Sequence, residues 1–96
     1  MILCDLLGMP LPIIQAPMAG VQGSALTVAV STAGGLGSLP CAALDLKTMR
    51  AELTTIRRLT TRPFNVNSFC HQPPAPCADG ETIWRTALSP YFADLF

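Results

Sequence analysis

Charge is scarce in this 96-residue chain: only 12% of residues are charged, six basic side chains balance six acidic ones, and the formal net charge is zero. The basic residues form no more than a mild cluster at Arg57, Arg58 and Arg62, so no electrostatic case exists for nucleic acid or an anionic membrane as partner. Between Asp5 and Asp45 no charged side chain occurs at all. Long apolar runs are nevertheless missing, because Pro10, Pro12, Pro17 and Pro40, with Gly20, Gly23, Gly34, Gly35 and Gly37, cut that stretch into pieces. None approaches the roughly 20 unbroken apolar residues that a spanning helix requires. No Lys or Arg precedes the apolar run and no clean small-residue cleavage pattern closes it, which argues against a secretory signal and leaves the cytoplasm as the expected location. Histidine is nearly absent, and Cys4, Cys41, Cys70 and Cys77 show no CxxC spacing. A zinc site is therefore not expected, and the cysteines read as buried or partly buried free thiols.

What is present is material for burial, since half of the residues are hydrophobic. Pro12 to Ala16 is a short apolar run ended by Pro17, as expected of a strand buried on both faces. The small-residue turn PMAG follows at 17–20, and SALTVAVSTA at 24–33 has helical spacing with Gly34-Gly35 where a left-handed C-terminal cap belongs. Leu36 to Leu39 is a second strand candidate, stopped by Pro40. Leu46, Met49, Leu53, Ile56 and Leu59 then recur at intervals of three and four behind Asp45, an N-cap residue, with Lys47, Arg50, Arg57 and Arg58 on the other face.

After Pro63, FNVNSF at 64–69 alternates as a third strand would, with Asn65, Asn67 and Phe69 on one side. HQPPAPC at 71–77 cannot be helical, and a last helix is expected to begin near Asp79 or Gly80 and to break at Pro90. The order is βαβαβ followed by a helix, with crossovers that enforce parallel pairing. Three strands cannot close a barrel, so on their own they leave an unpaired edge.

PIIQAPMAG at 12–20, AVSTAGGLGSL at 29–39, LTTRPFNVNSF at 59–69, and HQPP at 71–74 followed by Trp84 and PYFADL at 90–95 resemble the opening of the class I nitronate monooxygenases, formerly 2-nitropropane dioxygenases. The resemblance spans essentially the whole chain. It implies an α/β fold in which residues 1–96 are the N-terminal βαβαβα portion of a flavin-binding TIM (βα)₈ barrel, a domain that typically needs about 250 residues. It further implies noncovalent FMN, and oxidation of alkyl nitronates by O₂ to a carbonyl compound and nitrite.

By that resemblance Pro17, Met18 and Ala19 lie against the flavin, where small residues allow close approach and Met18 offers a soft apolar contact. Asn67 matches a family asparagine at the end of the third strand, whose amide can both donate to and accept from the ring's polar edge. The family's base is a histidine on a later strand, so no catalytic residue is assigned here; His71 is read as a loop residue near the mouth, and Trp84 and Tyr91 as packing residues. AGGLG at 33–37 follows a helix and precedes a strand, the reverse of a dinucleotide fingerprint, and the FMN phosphate belongs to loops after strands seven and eight. An FMN-dependent enoyl-acyl-carrier-protein reductase has a similar opening, and a noncatalytic truncated remnant is the reading of a different class.

Overall fold

In the computed structural model, which describes residues 2–95, the element order is α1 (Ile2–Leu7), α2 (Ser24–Thr32), β1 (Gly37–Pro40), α3 (Leu46–Leu59), β2 (Phe64–Asn67) and α4 (Ala78–Leu95). Met1 and Phe96, the ends of the expected 1–96 domain span, lie outside the described residues. β1 and β2 pair in parallel from Gly37↔Phe64 to Pro40↔Asn67, and a single parallel bridge joins Ile14 to Leu36. Three chain segments thus run the same way, in the spatial order 14, β1, β2.

Local chemistry explains the helices. Asp45 caps α3 by accepting from Thr48 N at 2.7 Å, and the Thr48 hydroxyl and N–H together hold its carboxyl below the usual carboxylate range. α2 ends at Thr32 with Ala33 as C-cap, and Gly34 follows with a φ of 106° that is closed to most side chains. α2 then lies so close on β1 that a Cβ at Gly37 would stand 2.1 Å from Thr27 O, and Gly37 N donates to Ser31 Oγ at 3.0 Å. The AGGLG segment is therefore a helix cap and a close-packed turn, as its position in the sequence indicates.

The core lies between β1 and the helices. Leu39, Cys41 and Ile56 are buried there, with Val28, Leu44, Met49, Leu53 and Phe64 packed around them. Burial pushes the Cys41 thiol up, and the Glu52 carboxylate adds to the shift. Glu52 also reaches from α3 to the start of α2, where Ser24 N donates to its Oε2. Leu46 and Leu59, the two ends of the α3 stripe, stay exposed.

Several sequence expectations need correction. The strand at 12–16 shrinks to one bridge, because Pro17 has no N–H to continue the ladder. The strand expected at 36–39 includes Pro40 as its last residue, and that expected at 64–69 stops at Asn67, leaving Phe69 exposed with its ring tilted against His71 at 5.9 Å. Cys70 and Cys77 are exposed, not buried; Cys77 Sγ accepts from Gly80 N at the start of α4. α4 runs through Pro90 unbroken and buries no residue. α1 has no counterpart in the sequence reading and buries nothing either.

With α4 outside the packed layer, the radius of gyration is 18.8 Å, against about 12 to 13 Å for a compact chain of this length. Among the described residues no helix is long and apolar enough to cross a membrane, and no group of three or more His, Cys, Asp or Glu could hold a metal ion.

Candidate functional site

Parallel pairing fixes which ends share a rim. The segment that bridges at Ile14 leads into the PMAG turn, β1 ends at Pro40, and β2 ends at Asn67 directly beside it in register. The two expected contact regions, Pro17–Met18–Ala19 and Asn67, therefore both follow the C-terminal ends of parallel segments. Paired positions share a face of a sheet, so Asn65 and Asn67 lie on the side of Ser38 and Pro40, while Phe64 and Val66 lie on the helix-covered side with Leu39. Asn65 Nδ2 donates to Ser38 Oγ at 3.2 Å, in keeping with that division.

Hydrogen bonding explains why the first strand stops. Leu36 N donates to Ile13 O and Gln15 N to Leu36 O, both at 2.9 Å, which are the two bonds of a parallel ladder around position 14. One step further the ladder would need Ser38 N to reach Gln15 O and Pro17 N to reach Ser38 O. Proline has no N–H. Side chains take over instead: Ser38 N donates to Gln15 Oε1 at 3.1 Å, and Gln22 Nε2 donates to Ser38 O at 2.8 Å. Thr27 Oγ1 donates to the same carbonyl at 3.0 Å. Ser38 is fully buried, so these substitutions satisfy groups that would otherwise be stranded away from water.

The same amides hold the turn. Gln22 Oε1 accepts from Gln15 Nε2 and, at 3.1 Å, from Met18 N, and Val21 N donates back to Met18 O at 3.3 Å. Gly20 sits at φ 80° with open space where a Cβ would be. Gln15, Gln22 and Ser38 escaped the sequence reading because a glutamine between apolar runs has no diagnostic spacing. A proline in mid-ladder was the available signal, since it obliges some other donor to serve the facing carbonyl.

A flat ring with a polar edge fits the donors left over. Among the described residues, Ala19 N and Gly20 N have no hydrogen-bond partner. The half-buried Asn67 side chain has none either, its backbone O being engaged by Cys41 N at 2.9 Å. Met18, next to Ala19 in sequence, is 42% exposed and offers an apolar surface at the turn. No titratable side chain enters this network, so it can bind and orient but offers no group for proton transfer.

His71 is exposed, and its recorded ring contact is with Phe69. A cavity of about 390 Å³ lined by Thr32, Arg58, Leu59, Thr60, Thr61 and Arg62 lies at the other rim, before β2. There α2 and α3 present their C-terminal ends, away from the rim that holds the PMAG turn and Asn67.

Comparison with known proteins identifies the family. The sequence profile of the nitronate monooxygenase family matches residues 1–90. A nitronate monooxygenase of Paraburkholderia phytofirmans is 49% identical over 90 residues, which are 94% of this chain and 25% of that protein. Among solved structures, nitroalkane oxidase from Streptomyces ansochromogenes superposes with a TM-score of 0.74 at 40% identity, covering 97% of this chain and 26% of its own. FabK from Thermotoga maritima gives a TM-score of 0.68 at 35% identity over 74% of this chain and 23% of its own. The chain thus spans about a quarter of the length of the curated relatives it matches.

Proposed function

This chain belongs to the nitronate monooxygenase family, and from that premise we propose that it supplies one wall of an FMN site in a TIM (βα)₈ barrel that oxidises alkyl nitronates with O₂ to a carbonyl compound and nitrite. In this reading residues 1–96 are the N-terminal portion of the flavin-binding domain. The observation that carries it is the register: Ile14↔Leu36 and Pro40↔Asn67, both parallel, bring the PMAG turn and Asn67 to one rim. Ligands of such barrels sit at that rim.

Bound FMN would supply the redox chemistry. The residues of this chain bind and orient. Pro17, Met18 and Ala19 form a close-approach surface, and the Asn67 amide can donate to and accept from the ring edge. Proton abstraction is assigned to no residue here, because the network at the rim contains no base. The isolated 96-residue chain is expected neither to retain FMN through gel filtration nor to turn over a nitronate. The reading includes a cytoplasmic location, with a small-molecule nitronate and O₂ as partners and neither nucleic acid nor membrane.

The family match extends to residue 90 and so includes the HQPP loop and Trp84, which favours nitronate oxidation over the enoyl-acyl-carrier-protein reductase reading. The test is a chimaera in which this chain replaces the matching 90 residues of the P. phytofirmans relative. The expected protein is yellow, releases FMN on denaturation, and consumes O₂ and propionate 3-nitronate with release of nitrite. A folded, colourless chimaera would overturn the proposal, and nicotinamide-dependent reduction of an enoyl thioester would replace it with the reductase.

A further inference from the structure

Resting on the reading that the PMAG turn faces a ring cofactor, we infer that Gln22 is the positioning residue of that turn: its amide replaces the donor that Pro17 lacks and fixes the Met18 N–H. Both ends of the amide are engaged, Nε2 with the buried Ser38 carbonyl at 2.8 Å and Oε1 with Met18 N at 3.1 Å. Gln15 sets the orientation. Its Oε1 is committed to Ser38 N at 3.1 Å, which leaves its Nε2 to face Gln22 Oε1. Turning the Gln22 amide over would set oxygen against the Ser38 carbonyl and nitrogen against the Met18 N–H, so one arrangement alone satisfies the pair.

The consequence reaches the ligand. With the Met18 N–H engaged inward, Ala19 N and Gly20 N are the donors of the turn left for a bound molecule. β1 is the fixed reference for this arrangement, because Ser38 is also bonded by Thr27 and Asn65. Gln22 thus transmits the position of a buried strand to an exposed loop.

Amide hydrogen exchange of the 96-residue chain reads this directly, with Thr60 N, bonded to Ile56 O at 3.0 Å on α3, as internal reference. In Gln22→Ala, Met18 N is expected to exchange about five- to tenfold faster, the loss of one net hydrogen bond, while Thr60 N is unchanged. Gln22→Glu separates positioning from bulk. Only a protonated carboxyl can donate to Ser38 O, so its Met18 N should exchange near the wild-type rate below about pH 4 and about fivefold faster at pH 6, after correction for intrinsic rates.

Where Gln22→Ala accelerates Thr60 N as well, the chain has unfolded and the two-pH comparison of Gln22→Glu decides. In the chimaera, Gln22→Ala should raise the FMN Kd about tenfold. Unchanged Met18 exchange, no pH difference in Gln22→Glu, or equal FMN affinity would each overturn the inference. Slower Met18 exchange in a wild-type chimaera that binds no flavin would instead overturn the functional reading and leave the clamp standing.

Discussion

α3 and α4 both place apolar residues at helical spacing, more sharply segregated in α3, and meet opposite fates. Along α3, Met49, Leu53 and Ile56 recur at helical spacing, and Ile56 is completely buried against Leu39 and Cys41. Along α4, Trp84, Leu88, Tyr91 and Leu95 recur at intervals of four, three and four, yet Trp84 is 68% and Leu95 74% exposed. The difference lies in what each helix follows. α3 connects β1 to β2 and packs Ile56 against Leu39 and Cys41, whereas among the described residues α4 follows β2 with no further strand beside it. Val66 shows the same lack from the sheet side, being on the helix-covered face and still 46% exposed. A periodic pattern specifies that a face will be covered, and only a neighbouring element supplies the cover.

The largest test of this contrast is a pair of truncations. Ile56→Ala should lose about 2 to 5 kcal/mol of stability, enough to unfold a layer of this size, while Trp84→Ala in the same 96-residue chain should change the unfolding free energy, read from urea titration, by no more than about 0.5 kcal/mol. An equal loss in both would mean that α4 packs on the core in solution. Next comes the contact of α2 with β1: Gly37→Ala drives a methyl into Thr27 O and should cost about 1 to 3 kcal/mol by thermal unfolding. Gly20→Ala, strained by its φ of 80° but sterically free, should cost about 1 kcal/mol and leave α2 and α3 intact by circular dichroism.

A smaller effect is expected where α3 braces α2. Glu52→Ala removes the acceptor of Ser24 N and should cost about 1 kcal/mol, read as a lower urea midpoint. Smallest is the pH response. Asp45 is depressed in the folded chain, so its contribution is present above the carboxylate range and disappears as pH falls through the folded value, below about pH 4. Asp45→Asn should flatten that acid limb. At the alkaline end the raised Cys41 thiol keeps its proton longer folded than unfolded, so stability declines as pH climbs past about 8.5. Cys41 should also be the last of the four thiols to react with iodoacetamide, with Cys70 and Cys77 first.

The sequence was most legible where one local rule decides the structure. Asp45, the stripe of α3, Gly34 and the parallel order of the segments all followed from capping, periodicity and crossover length. It was less legible where two rules compete. Pro12 to Ala16 has the composition of a buried strand, but Pro17 withholds the ladder donor and two glutamines take its place. Pro90 was expected to break a helix that runs on to Leu95, and nothing in the packing of α4 explains the tolerance. At the candidate site, Pro17, Met18, Ala19 and Asn67 were named through the family resemblance, and the structure sets the PMAG turn and Asn67 at one rim. The amide network beneath them could not, because it exists only once β1 stands beside the turn.

The central claim is that one rim of this parallel layer, with the PMAG turn and the unpartnered Asn67 amide, faces a flavin ring. FMN titration of the chimaera, followed by quenching of flavin fluorescence, tests it most directly. Asn67→Ala should weaken binding about three- to tenfold, the worth of one net hydrogen bond, while Asn65→Ala, whose amide is engaged by Ser38 in the wild type, should stay within about twofold. Equal affinities for wild type and Asn67→Ala, or a larger loss at Asn65, would contradict the account.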